Sequence, residues 1–246
     1  KYREIRVRMK GFKGIRVLCL LPVWWCIELF WLMVKKWDIV HAVDFDSAVP
    51  AAIAGRLKRK PFIYEVLETY EDEILLPWAI RNLSIKIDKI FMRLAGSVVL
   101  ADDAQVQEFG GIPNARVVTL YDSPPDVPGK TGAVHSRNDV FTLFYDGVVH
   151  KARRLNLDKV FEAIKNIEGV KLIMTGRGDQ VEEIKELSLR MPDKLQFLGF
   201  VSYKEVIERT IAADLLFIIP DSRVPLNQYI GGSKLLKAMM CGRPVI

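Results

Sequence analysis

The sequence predicts an α/β protein built as two parallel-sheet domains. Short apolar strands alternate with helical segments in both halves. Strand, loop, helix and strand recur at βαβ spacing, and a proline- and glycine-bearing stretch poor in apolar residues separates the halves. With 246 residues, half of them apolar, the chain can bury two modest cores.

The first domain is expected over residues 1–122. Lys1 to Arg16 alternates Ile5, Val7 and Met9 with Arg6, Arg8 and Lys10, the period of a half-buried strand with a cationic outer face. Ile15 to Leu21 reads as a buried strand, and Trp24 to Lys36 as a helix rich in Trp and Phe. Ile39 to Val43 is a short strand, Asp44 to Ser47 a loop, Ala48 to Arg59 a helix ending in cations, and Phe62 to Val66 a buried strand. In such sheets ligands bind beyond the carboxyl ends of the strands, where Asp44, Asp46, Glu65 and Glu68 cluster. Leu75 to Ala95 reads as an amphipathic helix with Leu83, Ile87, Ile90 and Leu94 as its apolar stripe beside basic Arg81, Lys86, Lys89 and Arg93. Ser97 to Ala101 and Ala115 to Tyr121 complete the sheet, around a short helix capped by Asp102 and ended by Gly110-Gly111.

A linker is expected over residues 123–137, and the second domain over 138–246. Val140 to Tyr145 is a strand leading to Asp146-Gly147 and a basic loop with Lys151, Arg153 and Arg154; Leu157 to Ile167 is a helix. Val170 to Met174 is a strand ending in Thr175-Gly176-Arg177-Gly178, short of the third glycine of a dinucleotide fingerprint. The chain closes on GGSKLLKAMMCGRPVI: a glycine turn, a helix that Ser233 can cap, Gly242 as its C-terminal stop, and a strand at Val245-Ile246. Leu235/Met239 and Leu236/Met240 give that helix an apolar face. Free N–H groups at its start, beside Lys234, make a ready site for phosphate; the other reading of the segment is a helix that only packs on a sheet.

Composition narrows the partners. No apolar run reaches the length of a membrane-crossing helix, and no cleavage site marks a signal peptide. Three cysteines in apolar settings fit a reducing cytoplasm better than a disulfide framework. The three histidines lack ligand-spaced partners, so no metal is expected. A net charge of +6 favours an anionic partner, and the aromatic-basic motifs of nucleic-acid modules are absent. The cationic strand, the aromatic helix and the basic helix are each compatible with a peripheral membrane contact.

The motifs of both halves resemble those of GT-B glycosyltransferases of the family 4, or group 1, type. Ser233, Lys234, Leu235, Met239, Gly242, Pro244, Val245 and Ile246 match its C-terminal signature; Lys237 and Tyr229 stand where the family has glutamates. His41, Asp44, Asp46, Pro50, Ala51, Lys60, Pro61, Tyr64, Glu65 and Glu68 match an N-terminal pattern whose histidine is replaced by Leu67. Val148 stands at a usual arginine position, while Gly176-x-Gly178, the stretch Leu195 to Ser202 and Ala213-Asp214 match in order.

This resemblance implies two Rossmann-like domains, the second truncated and the chain lacking both ends of a full enzyme, with a cleft between the lobes. It implies a hexosyltransferase-type, metal-independent glycosyltransferase of glycan biosynthesis, without cofactor. The donor would be a nucleotide sugar and the acceptor a glycan or lipid-linked molecule, in the cytoplasm or at the inner face of the membrane. The candidate catalytic residues are Glu68 and Asp46. Candidate donor-binding residues are Gly147, Lys151, Arg153, Arg154, Gly176, Arg177, Gly178, Phe200, Val201, Gly232, Ser233, Lys234 and Lys237. The substitutions at Leu67, Val148, Tyr229 and Lys237 also favour an alternative, a weak or inactive homologue acting as a nucleotide-sugar-binding or partner subunit.

Overall fold

The computed structural model describes residues 20–67, 78–114, 116–125, 140–149, 157–218 and 232–246, with backbone only at 78–82 and 84. The expected strand in Lys1 to Arg16 lies outside them. So do Glu68, the greater part of the linker, the basic loop with Lys151, Arg153 and Arg154, and the loop with Tyr229. The chain divides into two compact units, Lys1–Tyr121 and Asp122–Ile246.

In the first unit the order is α1 (Leu21–Val34), β1 (Val40–Val43), α2 (Asp44–Lys58), β2 (Phe62–Val66), α3 (Trp78–Leu94), β3 (Ser97–Leu100), α4 (Ala104–Glu108) and β4 (Val117–Thr119). The strands pair in parallel in sequence order, with Val43 opposite Glu65 and Val66 opposite Leu100. Phe62, Tyr64 and Val66 are buried along β2 and pack with Met92, Val98, Leu100 and Phe109 into one core.

Three expectations change here. Leu21 opens α1 rather than closing a strand, with Pro22 in the first turn where a missing N–H costs nothing. Asp44 to Ser47, expected as a loop, is the first turn of α2, where carboxylates suit the positive helix end. Pro50 inside α2 cannot donate to the Asp46 carbonyl, and the Trp25 indole N–H takes that acceptor instead at 2.9 Å.

The third change concerns α3. Its expected apolar stripe faces outward: Leu83, Ile90 and Leu94 are exposed, while Asp88 and Met92 are buried. Asp88 is accommodated because the Tyr64 hydroxyl donates to it at 2.5 Å.

The second unit runs β5 (Phe141–Val148), α5 (Leu157–Lys165), β6 (Val170–Arg177), α6 (Val181–Arg190), β7 (Leu195–Phe197), α7 (Tyr203–Ala212), β8 (Leu215–Leu216) and α8 (Gly232–Met240). Its parallel sheet has the order β7-β6-β5-β8. Ser202 caps α7 by accepting from Glu205 N–H at 3.3 Å. Gly242, at φ +63°, ends α8 as expected, and Val245 then bridges Leu216 in parallel. Tyr145, Phe161, Leu172, Met174, Ile184 and Leu195 form the main core of this unit.

Candidate functional site

In the second unit two of the expected site residues, Gly147 and Gly176, lie at the carboxyl ends of β5 and β6. Gly147 and Gly176 are partners in register there. A Cβ on Gly176 would meet the Gly147 carbonyl oxygen at 1.8 Å, so Gly176 has to be bare for the strands to end this close. The turn after β7 is tied to the same edge, because Gly199 O accepts from Gly176 N–H at 2.9 Å and from Thr175 Oγ1 at 2.6 Å. Beyond it, the Arg177 guanidinium lies 5.9 Å from the centre of the exposed Phe200 ring. Gly178 and Val201 flank these two residues in the chain, and Gly178 passes against the Val149 backbone.

Helix α8 brings the charge. It begins at Gly232, so Ser233 sits within the first turn rather than capping it. Lys234 Nζ stands 4.7 Å from the centre of the Tyr145 ring. It also stands 2.8 Å from where a Gly147 Cβ would be, so the lysine occupies space that the glycine leaves open. Leu235 and Met239, expected on the packed face, are exposed; Lys237 and Ala238 are the buried residues.

Burial of Lys237 is made tolerable by Asp146, at the end of β5. The ammonium is bonded to Asp146 Oδ2, with side-chain exposures of 8% and 16%. Lys237, expected among the donor-binding residues, is thus engaged with Asp146 within the unit. Asp146 was not singled out in the sequence. No local signal pointed to it, because the spacing placed Leu235 and Met239, and not Lys237, on the packed face, and only once Lys237 is seen to be buried is a carboxylate beneath it required.

The first unit holds Asp46, the described member of the expected catalytic pair. Burial raises the pKa of its carboxyl, against hydrogen bonds from its own N–H and that of Ser47. Ser47 Oγ donates to Glu28 at 3.2 Å. Glu28 and Trp24 line a cavity of about 250 Å³ between α1, β1 and α2. Nearby, His41 Nε2 and Glu65 Oε2 are 2.7 Å apart, and Asp44 accepts from Leu67 N–H at 2.9 Å.

Burial is also the main reason that the Glu28 carboxyl is raised from 4.5 to about 7, Ser47 lowering it and Asp46 adding to the rise. Between those values the folded chain keeps a proton that the unfolded chain has released. Stability therefore falls as pH rises through that window. Allowing for solvent screening, the loss is about 2 kcal/mol. Glu28→Gln is expected to flatten this dependence and raise the melting temperature at pH above 7, with little change well below 4.5. Thermal melts across that range check it.

Comparison with known proteins bears out the resemblance. Residues 141–246 match the family model described as Glycosyl transferases group 1. The chain is similar to HepE of Anabaena in complex with UDP and glucose, at 18% identity and TM-score 0.60, over 91% of this chain and 62% of that one. It is similar to the lipopolysaccharide outer core galactosyltransferase WaaB, at 16% and 0.59, over 93% and 61%. Sucrose-phosphate synthase of Thermosynechococcus elongatus is similar at 13% and 0.65, over 93% and 60%. The chain thus spans about three fifths of the length of each. No curated protein sequence matches it. The chain, with its two parallel-sheet units, therefore has the GT-B fold.

Proposed function

We propose that the chain belongs to an enzyme that moves a sugar from a nucleotide-sugar donor to a glycan or lipid-linked acceptor. The observation that carries this reading is Lys234, in the first turn of α8, held against bare Gly147 at the end of β5. A helix start, a lysine and a glycine edge accommodate a diphosphate, and they favour the charge that develops on it as the sugar leaves. In this reading the positive groups are supplied by the chain rather than by a metal ion, and no cofactor takes part. Phe200 and Val201 would lie along the nucleoside, and Asp46 would face the acceptor. The UDP bound to HepE supports uridine diphosphate as the first probe. Cysteine usage supports a cytoplasmic setting, with Cys26 and Cys241 unbridged. Among the described residues, no helix is long and apolar enough to cross a membrane.

Calorimetric titration with UDP tests the reading. Lys234→Met is expected to weaken UDP binding by about tenfold and to slow sugar transfer by about a hundredfold or more. Equal UDP affinity in the two proteins would refute it. One observation favours the second reading, a binding subunit without turnover: Lys237, at the place of a family glutamate, is consumed by Asp146. UDP binding with neither donor hydrolysis nor transfer would decide for that reading.

A further inference from the structure

Helix α8 and strand β5 meet at one corner of the second unit. Lys234 and Lys237 are three residues apart on α8, so they share a face of the helix. Asp146 and Gly147 are successive residues of β5. Lys234 takes the space beside Gly147, and Lys237 takes Asp146. The family signature has a glutamate on the helix at position 237; in this chain the carboxylate of that corner stands on the strand instead.

The ion pair uses only half of that carboxylate. Lys237 is bonded to Oδ2, and among the described residues no hydrogen bond reaches Oδ1. The Asp146 side chain is 16% exposed against 8% for Lys237, so of the two it is the carboxylate that still meets solvent. An ionised carboxylate accepts hydrogen bonds and donates none, so Oδ1 calls for a hydroxyl or an N–H.

The neighbours of Asp146 narrow the choice. Lys234, at Gly147, is the cation offered to a diphosphate. In the sheet order β7-β6-β5-β8, the turn bearing the exposed Phe200 leaves β7, to one side of β5. Tyr203 opens α7 three residues later. The pKa of its hydroxyl is raised by partial burial first, and then by charge on Cys241, Asp146 and Asp122, so Asp146 lies within electrostatic reach of that turn. Asp146 thus neighbours both the phosphate cation and the aromatic turn. A nucleotide presents phosphates, ribose and base in that order, and the part that falls to Asp146 is the ribose, with two hydroxyl donors.

We propose that Asp146, held by Lys237, accepts hydrogen bonds from the ribose hydroxyls of the donor nucleotide and makes the site selective for ribonucleotides. Lys237 is a positioning residue: its ammonium fixes the carboxylate through Oδ2 and leaves Oδ1 to the ligand. The inference rests on the donor reading above and adds to it a residue of β5.

The test is calorimetric titration of the full chain with UDP and with 2′,3′-dideoxy-UDP, which keeps base and diphosphate and lacks both hydroxyls. The parent is expected to bind UDP at least about tenfold tighter, the worth of hydrogen bonds to a charged group. Asp146→Val with Lys237→Met removes both charges together, so neither is left buried alone and the fold is expected to survive. In that protein UDP should fall to the affinity of the dideoxy compound, a ratio of about one. Asp146→Asn keeps the shape and a neutral acceptor, and should leave a ratio of roughly threefold. Melting curves verify that the variants fold. A ratio taken within one folded protein cancels any loss of stability, so a merely structural pair would leave it unchanged. Equal affinities in the parent, or a folded double variant that keeps the preference, would overturn the proposal while the donor reading stands. Absence of UDP binding to the parent would overturn both.

Discussion

Lys237→Glu is expected to destabilise the second unit by about 3–5 kcal/mol, although it installs the residue that the family signature carries. Lys237 and Asp146 form a buried pair in which each supplies the counter-charge that stands in for the water the other has lost. The substitution removes the cation and sets a second carboxylate against Asp146. At the heat of unfolding of a domain this size, the melting temperature should fall by roughly 10–20 °C. Exchange of both residues, Lys237→Glu with Asp146→Lys, should recover a large part of the loss, which a double-mutant cycle measures as coupling. If Lys237→Glu melts like the parent, the pair is not a structural element. The same substitution tests the reading of function, because UDP binding should decline with stability rather than improve.

Gly176→Ala is expected to disrupt the ends of β5 and β6, at a cost of more than about 3 kcal/mol. Its added Cβ would lie 1.8 Å from the Gly147 carbonyl oxygen and 2.9 Å from the carbonyl carbon. Those atoms are backbone of the paired strand, so they cannot rotate away, and parallel pairing holds the strands at fixed spacing. The residue also has φ +150°, which an alanine adopts only with strain. Gly242→Ala is the control. It too has positive φ, but among the described residues no atom other than its own and its chain neighbours' lies within 4 Å of its Cβ position. Its cost should be about 1–2 kcal/mol, the conformational term alone. Chemical denaturation of the two variants separates crowding from backbone strain, and equal losses would rule out the crowding.

The motifs at the ends of β5 and β6 were legible because backbone geometry is a local demand. A strand with Gly176 next to its end shows its need for close approach in the residue type itself. The start of α8, with Lys234 in its first turn, was legible for the same reason, down to the Gly242 stop. Local signals failed where a packing partner lay far along the chain. Helix α3 has an apolar stripe by periodicity, yet the face that packs carries Asp88, because Tyr64 on β2 offers it a hydroxyl. Pro50 likewise lies within the expected helix, but that Trp25, a turn into α1, satisfies the Asp46 carbonyl it leaves without a helical donor is seen only in the fold.

By itself the sequence determined that this is an α/β chain of two parallel-sheet units, with glycine-edged strands and a cationic helix start in the second. Periodicity, turn residues and caps act over a few residues, so they can be read in order. Only the tertiary structure decided which helical faces are buried and that Lys237 answers Asp146 rather than solvent. Those outcomes depend on desolvation, and whether a charge or a leucine loses its water is set by neighbours that the chain brings from many residues away.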